Sequence, residues 1–256
     1  MSKLNFVIIL IITLFVGAVY CGNQQQKQGE EIMAEYPNLK VGVVLSGCGV
    51  YDGAEIHEAT ITLLALDKAK AQIVCMAPDV NQAHVINHTN GEVAEGVERN
   101  VLTEAARIAR GEIENLKNVT ANDIDALVFP GGFGAAKNLC TFAFDGINCT
   151  VNPEVERLIK EMHAAKKSLA FICIAPVLGA KVLGEFNPQL TIGNDEGTAT
   201  AIETMGGKHV VCAVDEIAID KTNKIVSTPA YMLGPSISYI AKGIEKCVNK
   251  VLEMAK

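Results

Sequence analysis

Short apolar runs alternate with helical patterns along most of the chain, and that alternation limits what it can fold into. Residues 41–46, 71–77, 125–129 and 168–172 are brief, almost continuously apolar stretches. Such runs suit strands buried on both faces of a sheet. Helical patterns lie between them. Asp52-Gly53-Ala54-Glu55 reads as a capping box, with Asp52 as N-cap and Glu55 at N3. Ile56, Ala59, Leu63 and Leu66 then line one apolar face of the helix that follows. Residues 101–110 read as a helix that stops at Gly111. Asn152-Pro153-Glu154 opens another, with Pro at N1 and an acid in the first turn, and it runs to about Lys166. Residues 175–183 and 198–205 are further helices, and 190–193 a strand. Residues 215–228 read as a hairpin turning near 220–223, and 236–254 as a long closing helix. Repeated β–α units predict a mainly parallel sheet with helices on both faces.

Composition fits that class. The chain has 256 residues, enough to bury a sizeable core. With 49% hydrophobic and 20% charged residues it is not a disordered chain. Lys and Arg number 22 against 29 Asp and Glu, a net charge of −7, so no basic face for nucleic acid is expected.

The first residues read as a targeting segment. Lys3 is followed by an apolar run, 6–20, broken only by Thr13, and then by the polar stretch 23–31. The run is shorter than the roughly 20 residues of a spanning helix. It predicts a secretory signal cleaved after Cys21, with Val19 and Cys21 at −3 and −1. A mitochondrial presequence would want Arg, and the first 40 residues have none. The expected organisation is a signal peptide at 1–21, a polar linker at 22–39 and one domain at 40–256. The expected location is the secretory pathway or outside the cell, with no stable membrane association once the signal is removed. An uncleaved signal-anchor would instead tether the chain to a membrane. Sequons at Asn87, Asn118 and Asn148 agree with export. The eight cysteines are scattered and form no disulfide framework; Cys140 and Cys149 are spaced to pair across a loop.

In open parallel sheets, sites lie beyond the carboxyl ends of the strands. That rule selects the loops 46–55, 130–135 and 173–176. Cys173 falls in a sharp strand-to-helix turn, where a nucleophile is lifted above the sheet and the helix N-terminus lowers a thiol pKa. The alternative is a buried structural thiol. Gly131 and Gly132 follow a strand with no side chains to block their amides, which suits an oxyanion pocket as well as an ordinary turn. Glu58, one turn beyond the capping acid, has no local structural role; near a thiol it would hold or relay a proton. A solvated helix carboxylate is the alternative. His57 reads as a partly buried structural imidazole. No metal-ligand spacing occurs, and Gly47 and Gly49 lack the third glycine of a dinucleotide loop.

Three stretches then stand together in order: 43–58 (Val-Val-Leu-Ser-Gly-Cys-Gly-Val-Tyr-Asp-Gly-Ala-Glu-Ile-His-Glu), 129–139 (Phe-Pro-Gly-Gly-Phe-Gly-Ala-Ala-Lys-Asn-Leu) and 171–176 (Phe-Ile-Cys-Ile-Ala-Pro). With Thr-Pro-Ala-Tyr-Met at 228–232, they resemble the ThiJ/PfpI superfamily, class I glutamine amidotransferase-like, and its glyoxalase ElbB branch most closely. The resemblance runs from about Lys40 to the C-terminus and leaves the N-terminal extension outside it. It implies a flavodoxin-like three-layer α/β sandwich, commonly dimeric, with Cys173 as nucleophile and Glu58 as its acidic partner. Its oxyanion amides carry over to Gly132, helped by Gly131, and to Ile174. Asn194 stands where some relatives keep a His, which speaks against an amidase and suits a Cys-Glu site.

The activity this implies is a cofactor-independent, metal-independent glyoxalase. Its small 2-oxoaldehyde substrate, glyoxal or methylglyoxal, becomes glycolate or lactate through a Cys173 hemithioacetal. Rival readings are a redox-sensing or protein-quality role for the same cysteine, a hydrolase acting on amides or glycated adducts, and a binding domain without catalysis.

Overall fold

β1 (Lys40–Val44) is buried along its length except at Lys40, as a Val-Gly-Val-Val run between two neighbours requires. The computed structural model describes residues 34–256; the signal-peptide reading of 1–21 and most of the linker reading of 22–39 lie outside them. Tyr36 is buried, and its amide donates to Ala69 O at 2.7 Å.

α1 (Ile56–Lys68) follows β1, and β2 (Gln72–Ala77) returns parallel to it, with Val43 opposite Cys75. A small antiparallel pair, β3 (Ile86–Asn87) and β4 (Glu92–Val93), precedes α2 (Val101–Ile108). β5 (Glu114–Asn115) and β6 (Ala126–Phe129) come next. After β6 stand two short helices, α3 (Phe133–Lys137) and α4 (Phe142–Asp145), and then α5 (Pro153–Ala164) and β7 (Ser168–Ile172). α6 (Pro176–Leu183), β8 (Gln189–Leu190), α7 (Glu196–Thr204) and β9 (Lys208–His209) lead to β10 (Ala218–Asp220) and β11 (Ile225–Thr228). α8 (Ile237–Met254) closes the chain.

The main sheet has the order β10-β11-β7-β6-β1-β2-β5, parallel throughout except where β10 turns back on β11. Alternation along β7 sends its side chains to two different layers. Ser168 Oγ donates to Val251 O of α8 at 2.9 Å, whereas Leu169 and Phe171 join Leu158, Ile159 and Met162 of α5 in the apolar core. α1 packs on α8 on the first side, and α5 packs on α6 on the second. The result is the mainly parallel sheet with helices on both faces that the β–α alternation predicts, and the flavodoxin-like three-layer sandwich that the resemblance implies.

Two readings of α1 shift. The N-cap lies three residues later than expected and is not part of a capping box: Glu55 is the N-cap, its Oε2 accepts the Glu58 amide at 2.7 Å, and its own amide donates to Gly131 O. Asp52 is instead buried in the preceding loop, where its carboxylate accepts the Ile86 amide at 2.7 Å. The buried face of α1 is also rotated. Ile56 is exposed and Leu63 half-buried, while Glu58, Ala59, Thr62, Ala65 and Leu66 face inward. The strand expected at 190–193 is limited to β8, which pairs only with β9 in a separate two-stranded sheet.

Cys140 and Cys149 do come together, but as free thiols. Their segments run antiparallel, with Cys140 bridged to Val151 and the Thr141 amide donating to Thr150 O at 2.9 Å. The Cys140 thiol donates to Ala135 O at 3.4 Å; the proximity of Cys140, with Lys181 nearby, brings Cys149 down to about 7, while Cys140 itself is pushed up.

Candidate active site

The carboxyl ends of β1, β6, β7 and β11 meet at one place, and each contributes a turn to it. β7 runs fully buried into Cys173, whose φ of 62° is left-handed. A non-glycine residue held there costs on the order of 1–3 kcal/mol and persists only where its surroundings fix it. Two of those constraints are visible. The Cys173 amide donates to Thr228 O at 2.9 Å, and Pro176 pins the first turn of α6 directly afterwards. The turn lifts the Cys173 side chain out of the sheet while leaving the residue only 8% exposed.

Glu58 is completely buried in the first turn of α1. Its two carboxyl oxygens are each engaged. Oε2 accepts the Gly131 amide at 3.0 Å, and Oε1 accepts the Tyr231 amide at 3.1 Å. The carboxyl also lies beside the Cys173 thiol, and each group shifts the other's pKa. Burial pushes Glu58 up to about 8, with Glu55 adding to the rise; the amides of Tyr231 and Gly131 and the Cys173 thiol pull the other way without reversing it. A pKa of about 8 favours the protonated carboxyl at neutral pH, with the Cys173 sulfur beside it.

The same burial, and then the Glu58 charge, push the Cys173 thiol well up. With Glu58 neutral, that repulsion is absent. The Gly132 and Ile174 amides both donate toward the sulfur and favour its anion. Donors that face the sulfur also face any oxygen formed on a carbon bonded to it.

The four expected site positions around Cys173 are thus brought together, with one change of role. Gly132 and Ile174 present free donors, whereas the Gly131 amide is already committed to Glu58. Gly131 is needed for another reason: a Cβ there would lie 2.4 Å from Cys173 Cβ and 2.7 Å from Glu58 Oε2. Gly132 has a φ of 97° and packs on the backbone of Gly53 and Glu55, which glycine alone permits.

A cavity of about 430 Å³ opens above the sulfur, walled by Phe133 and Phe142 from α3 and α4, by Ile174 and by Met232. His57 is not in its wall; it is half exposed and hydrogen-bonded to the Tyr231 hydroxyl at 2.8 Å. Asn194 is exposed and His209 contacts the Ile192 amide, so neither stands at the thiol. A larger cavity, about 570 Å³, lies at the other end of β7 and β11 and is lined by no cysteine or serine. Among the described residues no cluster of three or more His, Cys, Asp or Glu is placed to hold a metal.

Two supporting residues, Tyr231 and Asn138, lie within the quoted stretches 228–232 and 129–139, but the sequence assigns neither of them a role. Tyr231 reaches Glu58 across 173 positions, through its backbone. Asn138 pins the glycine-rich loop: its Nδ2 donates to Ser46 O and Asp52 O, and its Oδ1 accepts the Ala83 amide. Neither contact has a local pattern, because the partners are far apart in the chain.

No protein-family model matches the chain. Among curated proteins it is 50% identical over 238 residues to the human glutamine amidotransferase-like class 1 domain-containing protein 3, mitochondrial, covering 90% of this chain and 88% of that protein. It is 51% identical over 230 residues to the ES1 protein homolog, mitochondrial, of Rattus norvegicus, covering 86% of each. Among solved structures, an isoprenoid biosynthesis protein with amidotransferase-like domain from Ehrlichia chaffeensis superposes with a TM-score of 0.78 at 36% identity, over 84% of this chain and 99% of that one. The names of these relatives overturn the secretory or extracellular location, and with it the membrane-tethered alternative. The cue was an apolar run with one Lys, and hydropathy by itself does not specify a compartment. The sequons lose their bearing for the same reason. Among the described residues no helix is long and apolar enough to cross a membrane.

Proposed function

Because the chain belongs to the glutamine amidotransferase-like class 1 family, within the ThiJ/PfpI/DJ-1 superfamily, we propose that it is a thiol-dependent glyoxalase, hydrating 2-oxoaldehydes to 2-hydroxy acids without a cofactor. Family and fold support a related enzyme or sensor. The finer reading rests on one arrangement: fully buried Glu58, its pKa raised by that burial, lies beside Cys173 while the amides of Gly132 and Ile174 face the same sulfur.

The chemistry follows from that arrangement. The Cys173 sulfur adds to the aldehyde carbon, and the carbonyl oxygen becomes an alkoxide against the Gly132 and Ile174 amides. The sulfur adds as its thiolate, and protonated Glu58 gives its own proton to that oxygen, leaving a neutral hemithioacetal. Glu58 is then a carboxylate beside the carbon, able to take its hydrogen as a proton and return it to the neighbouring carbonyl carbon while the hydroxyl proton moves to the neighbouring oxygen. The product of that transfer is a thioester of a 2-hydroxy acid. Water cleaves it, restoring the thiolate and protonated Glu58 and releasing glycolate from glyoxal or lactate from methylglyoxal. The balance is one water added and no electron gained or lost, so no redox partner is required.

Purified protein incubated with methylglyoxal is expected to yield lactate, and Cys173→Ser to yield none above the uncatalysed rate. Lactate at the wild-type rate from Cys173→Ser would remove the assignment. One observation favours a second reading. A protonated carboxyl beside a sulfur also stabilises an oxidised, negatively charged sulfinate, which would make Cys173 a peroxide sensor. Mass gain confined to Cys173 at sub-stoichiometric peroxide, with no lactate formed, would select it. The relatives' names support mitochondrial residence, which cell fractionation tests. Reactive aldehydes arise mostly inside cells, so this location suits the proposed substrate.

A further inference from the structure

Methylglyoxal leaves most of the cavity above Cys173 unfilled. At about 430 Å³ the space is in the ~300–1,000 Å³ range of pockets that enclose drug-sized ligands. Its wall is chiefly apolar: Val50, Phe133, Phe142, Ile174 and Met232 stand around the thiol. Phe133 follows the oxyanion glycine directly, and Ile174 follows the nucleophile, so a group attached to the reacting carbonyl meets these side chains first.

The charges in the wall have one sign. Glu55 and Asp195 line it, and no Lys, Arg or His does. Asp195 accepts the Thr198 amide, and that bond holds its carboxyl below the usual range, so it stays ionised. The nearby cation, Lys137, is held outside the wall: its ammonium donates to Tyr51 O at 3.0 Å and sits 5.2 Å from the centre of the Phe133 ring. An anionic substituent would enter against two carboxylates with no cation to receive it.

We propose that the site selects neutral 2-oxoaldehydes carrying an apolar substituent of aromatic size, and discriminates against both the smallest 2-oxoaldehydes and anionic ones. This rests on the glyoxalase reading for its chemistry, and on the shape and charge of the cavity for its specificity.

The test compares three substrates with the full chain: methylglyoxal, phenylglyoxal and 4-carboxyphenylglyoxal, each followed by its 2-hydroxy acid product. The expected kcat/KM for phenylglyoxal exceeds that for methylglyoxal by at least about tenfold, since even one methylene in an apolar pocket is worth about that much. The carboxylated analogue is expected to fall back by about tenfold or more. Equal or faster turnover of methylglyoxal overturns the size preference, and equal turnover of the two aromatic substrates overturns the charge preference. Phe133→Ala, at a half-exposed position, is expected to narrow the phenylglyoxal-to-methylglyoxal ratio; an unchanged ratio counts against the proposal.

A separate readout keeps the two proposals distinguishable. Cys173 is alkylated with iodoacetate, iodoacetamide and N-phenyl iodoacetamide, each rate taken relative to that of glutathione. The aromatic reagent is expected to react fastest and iodoacetate slowest. If none of the aldehydes is turned over but that order holds, the glyoxalase reading fails and the cavity's preference stands. If the order is reversed, the preference fails whatever the turnover.

Discussion

A carboxyl that serves two backbone amides and a sulfur at once is hard to replace. Glu58 accepts from Gly131 and Tyr231 and lies beside Cys173. Glu58→Gln would set an NH₂ donor against one of those amide donors, leaving a buried pair of like groups at a cost of about 1–3 kcal/mol. The penalty depends on pH. Folding raises the Glu58 pKa from 4.5 to about 8, so its contribution to stability is complete below about pH 4.5 and is lost as pH rises through about 8. Each pH unit inside that window is worth about 1.4 kcal/mol for one group. Glutamine has no such dependence. The stability advantage of wild type over Glu58→Gln is therefore expected to shrink steadily from pH 5 to pH 8, read from urea midpoints. A constant gap across that range would mean that Glu58 is already ionised in the folded protein. Turnover by Glu58→Gln is expected to fall by about 10²-fold or more, the usual scale for losing a positioned acid–base group.

Elements rather than residues decide how much of this could be read in advance. β7 and its elbow were legible: a continuous apolar run, a cysteine and an X-Pro helix start define the turn locally, and the structure keeps all three in place. The opening of α5 was equally plain. Asn152 accepts the Glu154 amide at 3.0 Å with Pro153 at N1. Asn152→Ala is expected to cost about 1 kcal/mol of stability, seen as a lower melting temperature, with glyoxalase kinetics unchanged. α1 was misread at its start because Asp52 and Glu55 both suit a cap, and only the loop's contact with Ile86 decides between them. That shift rotates the helix and puts Glu58 on the inner face instead of Ile56. The apolar stripe pointed the wrong way because the inner surface near the site accepts a carboxyl and a threonine, and a hydropathy pattern does not register such positions. α3 and α4, which supply both aromatic walls, were missed because each is too short for a period to show.

At the scale of the molecule, the three layers meet the site from different sides. α1 carries Glu58 and is packed on α8, while α6 grows from Cys173 on the opposite layer. The distance between acid and thiol therefore depends on how the two helical layers sit on the sheet. The ThiJ/PfpI resemblance implies a homodimer, and a light-scattering mass of twice the chain is expected at micromolar concentration. A mass equal to one chain that persists on concentration would show that the fold supports the site as a monomer.

The carboxyl of Glu58 is tied to residues 73 and 173 positions further along the chain. A polypeptide still emerging from the ribosome carries Glu58, Gly131 and Cys173 well before the segment that holds Thr228 and Tyr231 arrives. Until then the Cys173 amide lacks its acceptor and one oxygen of Glu58 lacks its donor. The geometry around the thiol is therefore closed by the last strand of the main sheet to be synthesised.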